Sequence, residues 1–564
     1  MKLAMPIGVD DFKEVREEYY FVDKSGFLSE FFPSHPKVTI FTRPRRFGKT
    51  LLLSMLRYFF DIEGAEEHRR LFDGLAVSQD DAMMEEMGKR PVLFFTMRGW
   101  KASSWSEMKE IIADGLQTLA LGYGNLLDSP RVMEEDKAVL RAFRQAKATV
   151  TEMRTAPLRF LRMLEAHYGK KPVFLLDEYD TPIQSAWEHQ YYDQAIDFFR
   201  VFLTTSLKSN DFLDFAVLTG VLRISKESIF SDLNNLKVDS ILHAKHPKAF
   251  GFTMEEVAKL ADDVGVEDKM GEIREWYDGY HIGGYDIYNP WSVLNYFDDG
   301  CHPRAYWVNT SGNAILAELM KNADQEHFET LLDLMEGGTV TSFLREGVIY
   351  ADIGEDQDAL YTMLCTTGYL TTESTETFAG ETEYALRLPN LEMRRLFGIE
   401  IVKRYQHGFG KSALVRLLRA FLHGDAARAE EGLRRYLVKL ASYYDTAKDK
   451  ESFYHGFVLG MTAILIEDYI VRSNRESGLG RYDLVAVPRK KGEEGFLLEF
   501  KMAETEDAME AKAEEALTQM ETQEYLAGLD VEDRTMHRYG IAFCGKNVKV
   551  RMNGIHHRKR APFH

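Results

Sequence analysis

The stretch "KVTIFTRPRRFGKTLLLSMLRYFF", residues 37–60, decides the fold of the N-terminal part of the chain. Its β-branched start predicts a short strand over 37–41, and the apolar run over 51–60 predicts a helix. Between them, "GKT" at 48–50 matches the end of the phosphate-binding pattern G-x-x-x-x-G-K-[ST]. A strand, a loop and a helix in this order are the context that such a loop needs.

The first position of the pattern holds Arg43 instead of glycine. A phosphate-binding loop supplies backbone N–H groups around the phosphates, a lysine on the β- and γ-phosphates and a hydroxyl on Mg²⁺. Lys49 and Thr50 provide the charge and the hydroxyl, Pro44 can set the turn, and the arginines add charge beside the phosphates. The loop by itself does not distinguish a phosphate-binding loop from a chance match to the pattern. The candidate phosphate-binding residues are Arg45, Arg46, Phe47, Gly48, Lys49 and Thr50.

A second signal is "VFLLDEYD" at 173–180, an apolar strand that ends in acids. Two carboxylates at the end of a buried strand are costly without a cation. Asp177 suits the Mg²⁺ shell, and Glu178 suits the orientation of an attacking water. Acids are also common where a strand meets solvent, but the order and separation of the two motifs favour a nucleotide site.

Further strands are predicted at 91–96 and 214–220, with helical patterns between them. Apolar strands that alternate with helices predict an α/β fold with a parallel sheet covered on both faces. After residue 245, aromatic-rich helical patterns predict a mainly helical middle domain. Two connecting helices are expected over 412–444, and a last α/β unit follows. The predicted domains are 1–245 (α/β, with the nucleotide site), 246–400 (mainly helical), 401–450 (helical connector) and 451–564 (α/β).

Composition bounds the class of protein. The 564 residues are too many for one hydrophobic core. With 45% hydrophobic and 28% charged residues, the composition is that of an ordinary soluble globular protein. No secretory start and no apolar run of about 18 residues is found, and three scattered cysteines suit a reducing cytosol. We therefore expect a cytoplasmic protein without a membrane partner. The net charge of −19 disfavours non-specific nucleic-acid binding, which would need local basic patches such as 43–46 or 556–560.

The C-terminal part contains "GRYDLVAVPRKKGEEGFLLEFKMA", residues 480–503, which reads as a hairpin. A turn centred on Lys491 places Asp483 directly opposite Glu499, and Lys501 shares their face of the sheet. Two carboxylates and a lysine on one spot are the parts that metal-assisted phosphodiester hydrolysis needs. The alternative is a surface hairpin with a charge cluster, which the repulsion between the two acids weakens.

Other stretches carry a family resemblance, namely "FTRPRRFGKTLLLSML", "FLLDEYDTPI", "LTGVLRISKESIFSDLNNL" and "YDGYHIGGYDIYNPWSVLNYF". They resemble the AAA-ATPase-like family of bacteria and archaea over most of residues 6–400, and the arginine-rich loop is that family's usual form. The resemblance implies a P-loop ATPase that uses ATP with Mg²⁺ at Thr50 and Asp177. It also places Thr219 at a γ-phosphate sensor position. Arg223 is then a sensor or an arginine finger, which in trans would imply a homo-oligomer, or alternatively a structural salt-bridge residue.

The hairpin is similar to the PD-(D/E)XK nuclease superfamily, whose pattern D…E-x-K is met by Asp483, Glu499 and Lys501. The resemblance implies Mg²⁺, or Mn²⁺, held by Asp483 and Glu499, with nucleic acid as the substrate and DNA ahead of RNA. Gln519 falls at the polar position of the following helix. Glu451, upstream, is a candidate for a further acidic ligand.

The sequence thus predicts an ATP-binding and ATP-hydrolysing protein whose nucleotide state controls a C-terminal Mg²⁺-dependent nuclease. The alternative is an ATP-gated binding switch, in which the nuclease fold binds nucleic acid or protein without cleavage. The intact D…E-x-K pattern favours the enzyme, and the acidic net charge favours the switch.

Overall fold

The computed structural model forms two compact units. The first, here the N-unit, comprises Met1–His302 and Thr341–Pro389, and the second, the C-unit, comprises Pro303–Val340 and Asn390–His564. The structure describes residues 4–222, 236–307, 316, 330–331, 333–335, 337–345, 347–348, 356–378, 380–405, 411–440, 458, 461–465, 468–477, 480–522, 531 and 533–557. The finer division into four domains stays a prediction.

The N-unit is built on a parallel sheet with the strand order β2-β3-β4-β1-β5. Its strands are β1 (Val38–Thr42), β2 (Val92–Thr96), β3 (Val173–Asp177), β4 (Ala216–Gly220) and β5 (Leu236–Asp239). The first four confirm the predicted strands. The edge strand β5 was not predicted, because "LKVD" is short and half polar.

Apolar side chains project from both faces of this sheet. Ile40, Phe174 and Leu218 join one core, while their neighbours Phe41 and Leu175 join another on the opposite face. Successive residues of a strand point to opposite faces, so near-continuous apolar strands bury both. The predicted α/β fold with a parallel sheet covered on both faces is confirmed.

Helices cover the two faces of the sheet. They are α1 (Phe12–Glu18), α2 (Gly26–Phe31), α3 (Lys49–Phe60), α4 (Ala65–His68), α5 (Asp81–Glu85), α6 (Trp105–Gly122), α7 (Glu134–Arg144), α8 (Val150–Arg154), α9 (Ala156–Tyr168), α10 (Thr181–Glu188) and α11 (Tyr192–Leu207). The helix predicted over 51–60 is α3, which starts two residues earlier, directly after the glycine of the loop.

The middle of the chain is mainly helical, as predicted, with α12 (Met254–Val264), α13 (Met270–Tyr277), α14 (Pro290–Asp298) and α15 (Gln357–Thr367). Strands that the sequence analysis did not anticipate lie among these helices. They are β6 (Tyr280–Ile282), β7 (Tyr285–Ile287), β8 (Val340–Ser342), β9 (Thr371–Phe378) and β10 (Glu381–Arg387). The β9–β10 hairpin was missed because its "TTESTETF" is polar throughout.

The C-unit contains a mixed sheet with the order β11-β12-β13-β14-β15, in which only β13 and β14 run parallel. Its strands are β11 (Tyr469–Ser477), β12 (Gly480–Pro488), β13 (Glu494–Met502), β14 (Thr535–Cys544) and β15 (Asn547–His557). Its helices are α16 (Leu391–Tyr405), α17 (Lys411–Leu422), α18 (Ala426–Leu440) and α19 (Met509–Thr522). The predicted hairpin is β12–β13, and the two predicted connecting helices are α17 and α18.

Candidate functional site

The loop between β1 and α3 has the tight course that phosphate binding needs. Gly48 precedes the first residue of α3 and has φ 81°, and Arg46 has φ 68°. The left-handed region is free of strain for glycine but costs a residue with a Cβ atom, so Arg46 is held there by its surroundings. The loop therefore turns sharply and leads directly into the amino end of a helix, where backbone N–H groups attract anions.

Arg43, which replaces the first glycine, is buried against β5. Its side chain is 0% exposed and donates from Nη2 to Asp239 Oδ1 at 2.7 Å. It also donates to the carbonyl oxygens of Thr42 and Asp239, while His246 Nδ1 lies 2.9 Å from Asp239 Oδ2. The expectation that every arginine of the loop adds charge beside the phosphates is therefore wrong for Arg43, because this residue ties the loop to β5.

The next three loop residues have different surroundings. Arg45 donates from Nη2 to Gln184 Oε1 at 2.8 Å. The guanidinium carbon of Arg46 lies 4.3 Å from the ring centroid of Trp291. Phe47 is buried with its ring centroid 5.1 Å from that of Tyr280, so only the backbone of Phe47 can face a phosphate.

Lys49 is buried and lies across the loop. Its Nζ donates to the carbonyl oxygens of Arg43 at 3.0 Å and Pro44 at 2.8 Å. Burial lowers the pKa of Lys49 to about 8, although the nearby carboxylates of Asp180 and Asp177 oppose the shift. A bound phosphate would offer this ammonium group a charged partner in place of neutral carbonyls.

Thr50, Asp177 and Thr219, chosen from three separate motifs, lie together. Thr50 Oγ1 donates to Asp177 Oδ2 at 2.8 Å, and Thr219 Oγ1 donates to Asp177 Oδ1 at 2.6 Å. The strand order explains the meeting, because β4 lies between β1 and β3 and all three are parallel. Burial raises the pKa of Asp177. A hydroxyl and a buried carboxylate are oxygen ligands of the kind Mg²⁺ takes, so the residues fit this ion.

Glu178 follows the strand in a strained conformation. Its φ of 53° is left-handed, a conformation that costs of order 1 kcal/mol and tends to be kept at functional sites. Its Oε2 accepts a hydrogen bond from Thr181 Oγ1 at 3.1 Å, and its Oε1 lies 3.5 Å from Arg98 Nε. The turn separates the Glu178 side chain from that of Asp177, so the two acids have different surroundings.

Two further residues were missed by the sequence analysis. Arg98, after β2, donates from Nη2 to Thr50 Oγ1 at 3.0 Å and also pairs with Asp10. A lone arginine after a strand belongs to no motif, so the sequence held no signal for it. Asp180 accepts from the backbone N–H groups of Val221 at 2.8 Å and Leu222 at 2.9 Å. It lay within the quoted acidic run and could have been chosen there.

In the C-unit, the register of β12 and β13 is the predicted one. Leu484 pairs with Leu498 and Val485 with Leu497, and one residue further the same register places Asp483 opposite Glu499. Asp483 Oδ2 accepts a hydrogen bond from the backbone N–H of Phe500 at 2.6 Å. This carboxylate is thus the acceptor for the β13 backbone at the point where the paired residues of β12 and β13 end. The hairpin register is confirmed.

Glu499 is the most unusual group of this site. It is 2% exposed, and within the part of the chain that the structure describes its Oε2 has no hydrogen-bond partner. Burial, and after it the charge of Asp483, raises the pKa of Glu499 to about 8, against the opposing charge of Lys501. Lys501 Nζ lies 3.4 Å from Glu499 Oε1. A buried carboxylate oxygen without a partner, beside a second carboxylate, fits a divalent cation.

The surroundings of these carboxylates are set by α19. Its Leu517 and Met520 share a core with Val485 and Leu497. Val485 is two residues from Asp483, and Leu497 is two residues from Glu499, so these apolar residues lie on the same face of the sheet as the two acids. Gln519 is half-buried on this helix. Within the described ranges, no group of three or more His, Cys, Asp or Glu side chains is placed to hold a metal ion. Arg223 and Glu451 lie outside the described residues.

Fold and geometry define a two-part protein, with a P-loop domain followed by a domain that pairs two acids and a lysine on one sheet face. Residues 6–230 match the family model described as "Predicted AAA-ATPase", and residues 449–552 match that of the PD-(D/E)XK nuclease superfamily. The chain thus contains an AAA-ATPase-like domain and a C-terminal PD-(D/E)XK nuclease superfamily domain.

One curated relative is an "Uncharacterized protein in vnfD 5'region" of Azotobacter chroococcum mcd 1. It is 29% identical over 405 residues, which cover 71% of this chain and 70% of that protein. No solved structure matches the chain significantly. None of the helices in the described part of the chain is long and apolar enough to cross a membrane.

Proposed function

We propose that this protein binds and hydrolyses ATP in its AAA-ATPase-like domain and cleaves nucleic acid, DNA in preference to RNA, in its nuclease domain. We further propose that the nucleotide state controls the cleavage. The observation that carries the nuclease proposal is Glu499, whose buried Oε2 has no hydrogen-bond partner among the described residues and whose strand register faces Asp483. A hairpin with a merely structural charge cluster has no reason to bury such an oxygen.

In the nuclease site, Asp483 and Glu499 are the residues that would hold Mg²⁺ or Mn²⁺. Such an ion supplies Lewis-acid stabilisation of the charge that develops on the phosphate. The chain's own contribution is to fix the two carboxylates, Asp483 through the N–H of Phe500 and Glu499 through its burial. Lys501, 3.4 Å from Glu499, positions the attacking water and takes no part in holding the ion.

In the nucleotide site, Thr50 and Asp177 would hold Mg²⁺, which balances the charge of the phosphates. Lys49 exchanges the loop carbonyls for the β- and γ-phosphates, and Thr219 keeps Asp177 in place by its hydrogen bond. Glu178 orients the attacking water. The left-handed turn at Glu178 separates its side chain from that of Asp177, which suits two different tasks.

Control of the nuclease by ATP is proposed because one chain carries both domains. Supercoiled, linear and single-stranded DNA and RNA should each be incubated with Mg²⁺ or Mn²⁺, in the presence of ATP, ADP or neither. We expect metal-dependent cleavage of DNA that changes with the nucleotide and is lost in Glu499→Gln. The matched control is Lys491→Ala, which removes a charge from the exposed turn of the same hairpin.

Three results would contradict the proposal. Cleavage that survives in Glu499→Gln would place the activity elsewhere. Cleavage that is equal with ATP, with ADP and without nucleotide would remove the control. Metal-independent binding of nucleic acid without any cleavage would replace the enzyme with the binding switch.

A further inference from the structure

Arg98 contacts two residues of the nucleotide site and a third residue, Asp10. Its guanidinium donates from Nη2 to Thr50 Oγ1 at 3.0 Å, lies with Nε 3.5 Å from Glu178 Oε1, and pairs with Asp10. The loop that carries it is fixed, since the Arg98 backbone N–H donates to Thr96 Oγ1 at 3.1 Å. The residue thus stands between the hydroxyl assigned to the metal and the carboxylate assigned to the water.

We propose that Arg98 is a catalytic residue of ATP hydrolysis, which supplies from within the same chain the arginine that stabilises the phosphoryl group in transfer. The inference rests on the proposed ATPase function. In hydrolysis the water oxygen bonds to the γ-phosphorus, and the bond from that phosphorus to the β–γ bridging oxygen breaks. ADP leaves with the electron pair, and both protons of the water end on the released phosphate, which departs as dihydrogen phosphate. Negative charge then develops on the oxygens between the metal and the water, which is where an arginine acts.

The contact with Thr50 explains how Arg98 changes its role when the site is loaded. A guanidinium and Mg²⁺ are both cations, so they do not share one hydroxyl oxygen. A metal ion held by Thr50 would therefore displace the Nη2 group, while the contacts with Glu178 and Asp10 could stay. The side chain is 51% exposed, so this movement disturbs no core packing. Its planar donors suit a phosphoryl group better than an ammonium group does.

The other arginines near the loop are committed to different partners. Arg43 is buried against Asp239, Arg45 donates to Gln184, and Arg46 lies on the ring of Trp291. Arg46 also lies near enough to Glu178 for their charges to interact, whereas Arg98 contacts both Glu178 and Thr50. If Arg98 acts in cis, hydrolysis needs no arginine from a neighbouring subunit, and the rate per chain is independent of protein concentration.

The test compares Arg98→Ala and Arg98→Lys with Lys101→Ala, which removes an exposed positive charge three residues away. The first readout is the affinity for ADP and for ADP with aluminium fluoride and Mg²⁺, which imitates the transferring phosphoryl group. Both Arg98 variants should bind ADP within about threefold of wild type but lose most of the extra affinity for the aluminium fluoride complex. Hydrolysis should fall about 10³-fold or more in Arg98→Ala. Lys101→Ala should match wild type in every readout.

The results separate this inference from the proposed function. Wild-type affinity for the aluminium fluoride complex in Arg98→Ala would overturn the catalytic role. Equal losses of ADP and complex affinity would show a role in ground-state binding and would overturn it as well. A wild-type rate per chain that rises with protein concentration would favour an arginine in trans. A wild-type chain that binds ATP without turning it over would instead refute the ATPase proposal.

Discussion

Thr219 Oγ1 donates a 2.6 Å hydrogen bond to Asp177 Oδ1, across two neighbouring parallel strands that are 42 residues apart in the chain. The second carboxylate oxygen of Asp177 accepts from Thr50. One buried carboxylate thus connects the first turn of α3 with the ends of β3 and β4. A change at the phosphate-binding loop therefore reaches the ends of β3 and β4 through this carboxylate.

The first prediction separates nucleotide binding from turnover. Lys49→Ala should abolish ATP binding, because it removes the buried ammonium group that lies across the loop. Glu178→Gln should keep ATP affinity near that of wild type but lose hydrolysis, since the shape remains and the charge is removed. Titration with a fluorescent ATP analogue and phosphate release measure the two effects. Equal affinity in Lys49→Ala and wild type would contradict the site assignment.

The second prediction concerns the buried pair of Arg43 and Asp239. Arg43→Ala leaves the Asp239 carboxylate buried with His246 as its remaining side-chain partner, so the N-unit should lose about 3–5 kcal/mol of stability. Denaturant unfolding followed by fluorescence measures the loss. The double variant Arg43→Met with Asp239→Leu should recover part of it, because no unpaired charge remains but the buried His246 loses Asp239 as its acceptor. A loss below 1 kcal/mol in Arg43→Ala would show that the pair does not anchor the loop.

The role of Arg43 shows where sequence reasoning ends. Its partner Asp239 lies 196 residues away, on a strand too short and polar to be predicted. The hairpin register, by contrast, depends on a local turn and on alternation along two strands, so it could be predicted. Arg98 reaches Thr50 and Glu178 only because β2 lies beside β3 in the sheet. Long-range contacts of single residues leave no periodic pattern in a sequence.

The third prediction is a pH dependence of metal binding at Glu499. The carboxyl group must lose its proton to bind a divalent ion, and its pKa is raised to about 8. Affinity for Mn²⁺ without nucleotide should therefore rise with pH, up to about tenfold per unit, and level off above pH 8. Calorimetry in buffers of different ionisation enthalpy should show one proton released per ion at neutral pH. Affinity independent of pH between 5 and 8 would contradict the assignment.

The same group affects the stability of the metal-free protein. Between its ordinary pKa of 4.5 and about 8, Glu499 keeps a proton in the folded state that the unfolded state has lost. The unfolded state then binds fewer protons than the folded state. The contribution of Glu499 to stability therefore falls as the pH rises through this window, by at most about 1.4 kcal/mol per pH unit. Glu499→Gln should lack this loss, and its stability advantage over wild type should grow from pH 5 to pH 8.

The last prediction separates metal binding from cleavage. Asp483→Ala and Glu499→Ala should lose both, because each removes a carboxylate that would hold the ion. Lys501→Ala should lose cleavage but keep metal binding, since an ammonium group is no ligand.

Lys501 opposes the raised pKa of Glu499, so its removal raises that pKa further and weakens metal binding at neutral pH indirectly. Affinity should therefore be compared at the plateau of each protein's pH profile, where Glu499 is ionised in both proteins. There, Lys501→Ala should bind Mn²⁺ like wild type and still fail to cleave DNA, while all three variants hydrolyse ATP normally. Loss of Mn²⁺ binding in Lys501→Ala on that plateau would mean that the lysine holds the site together, and its assignment to the attacking water would be wrong.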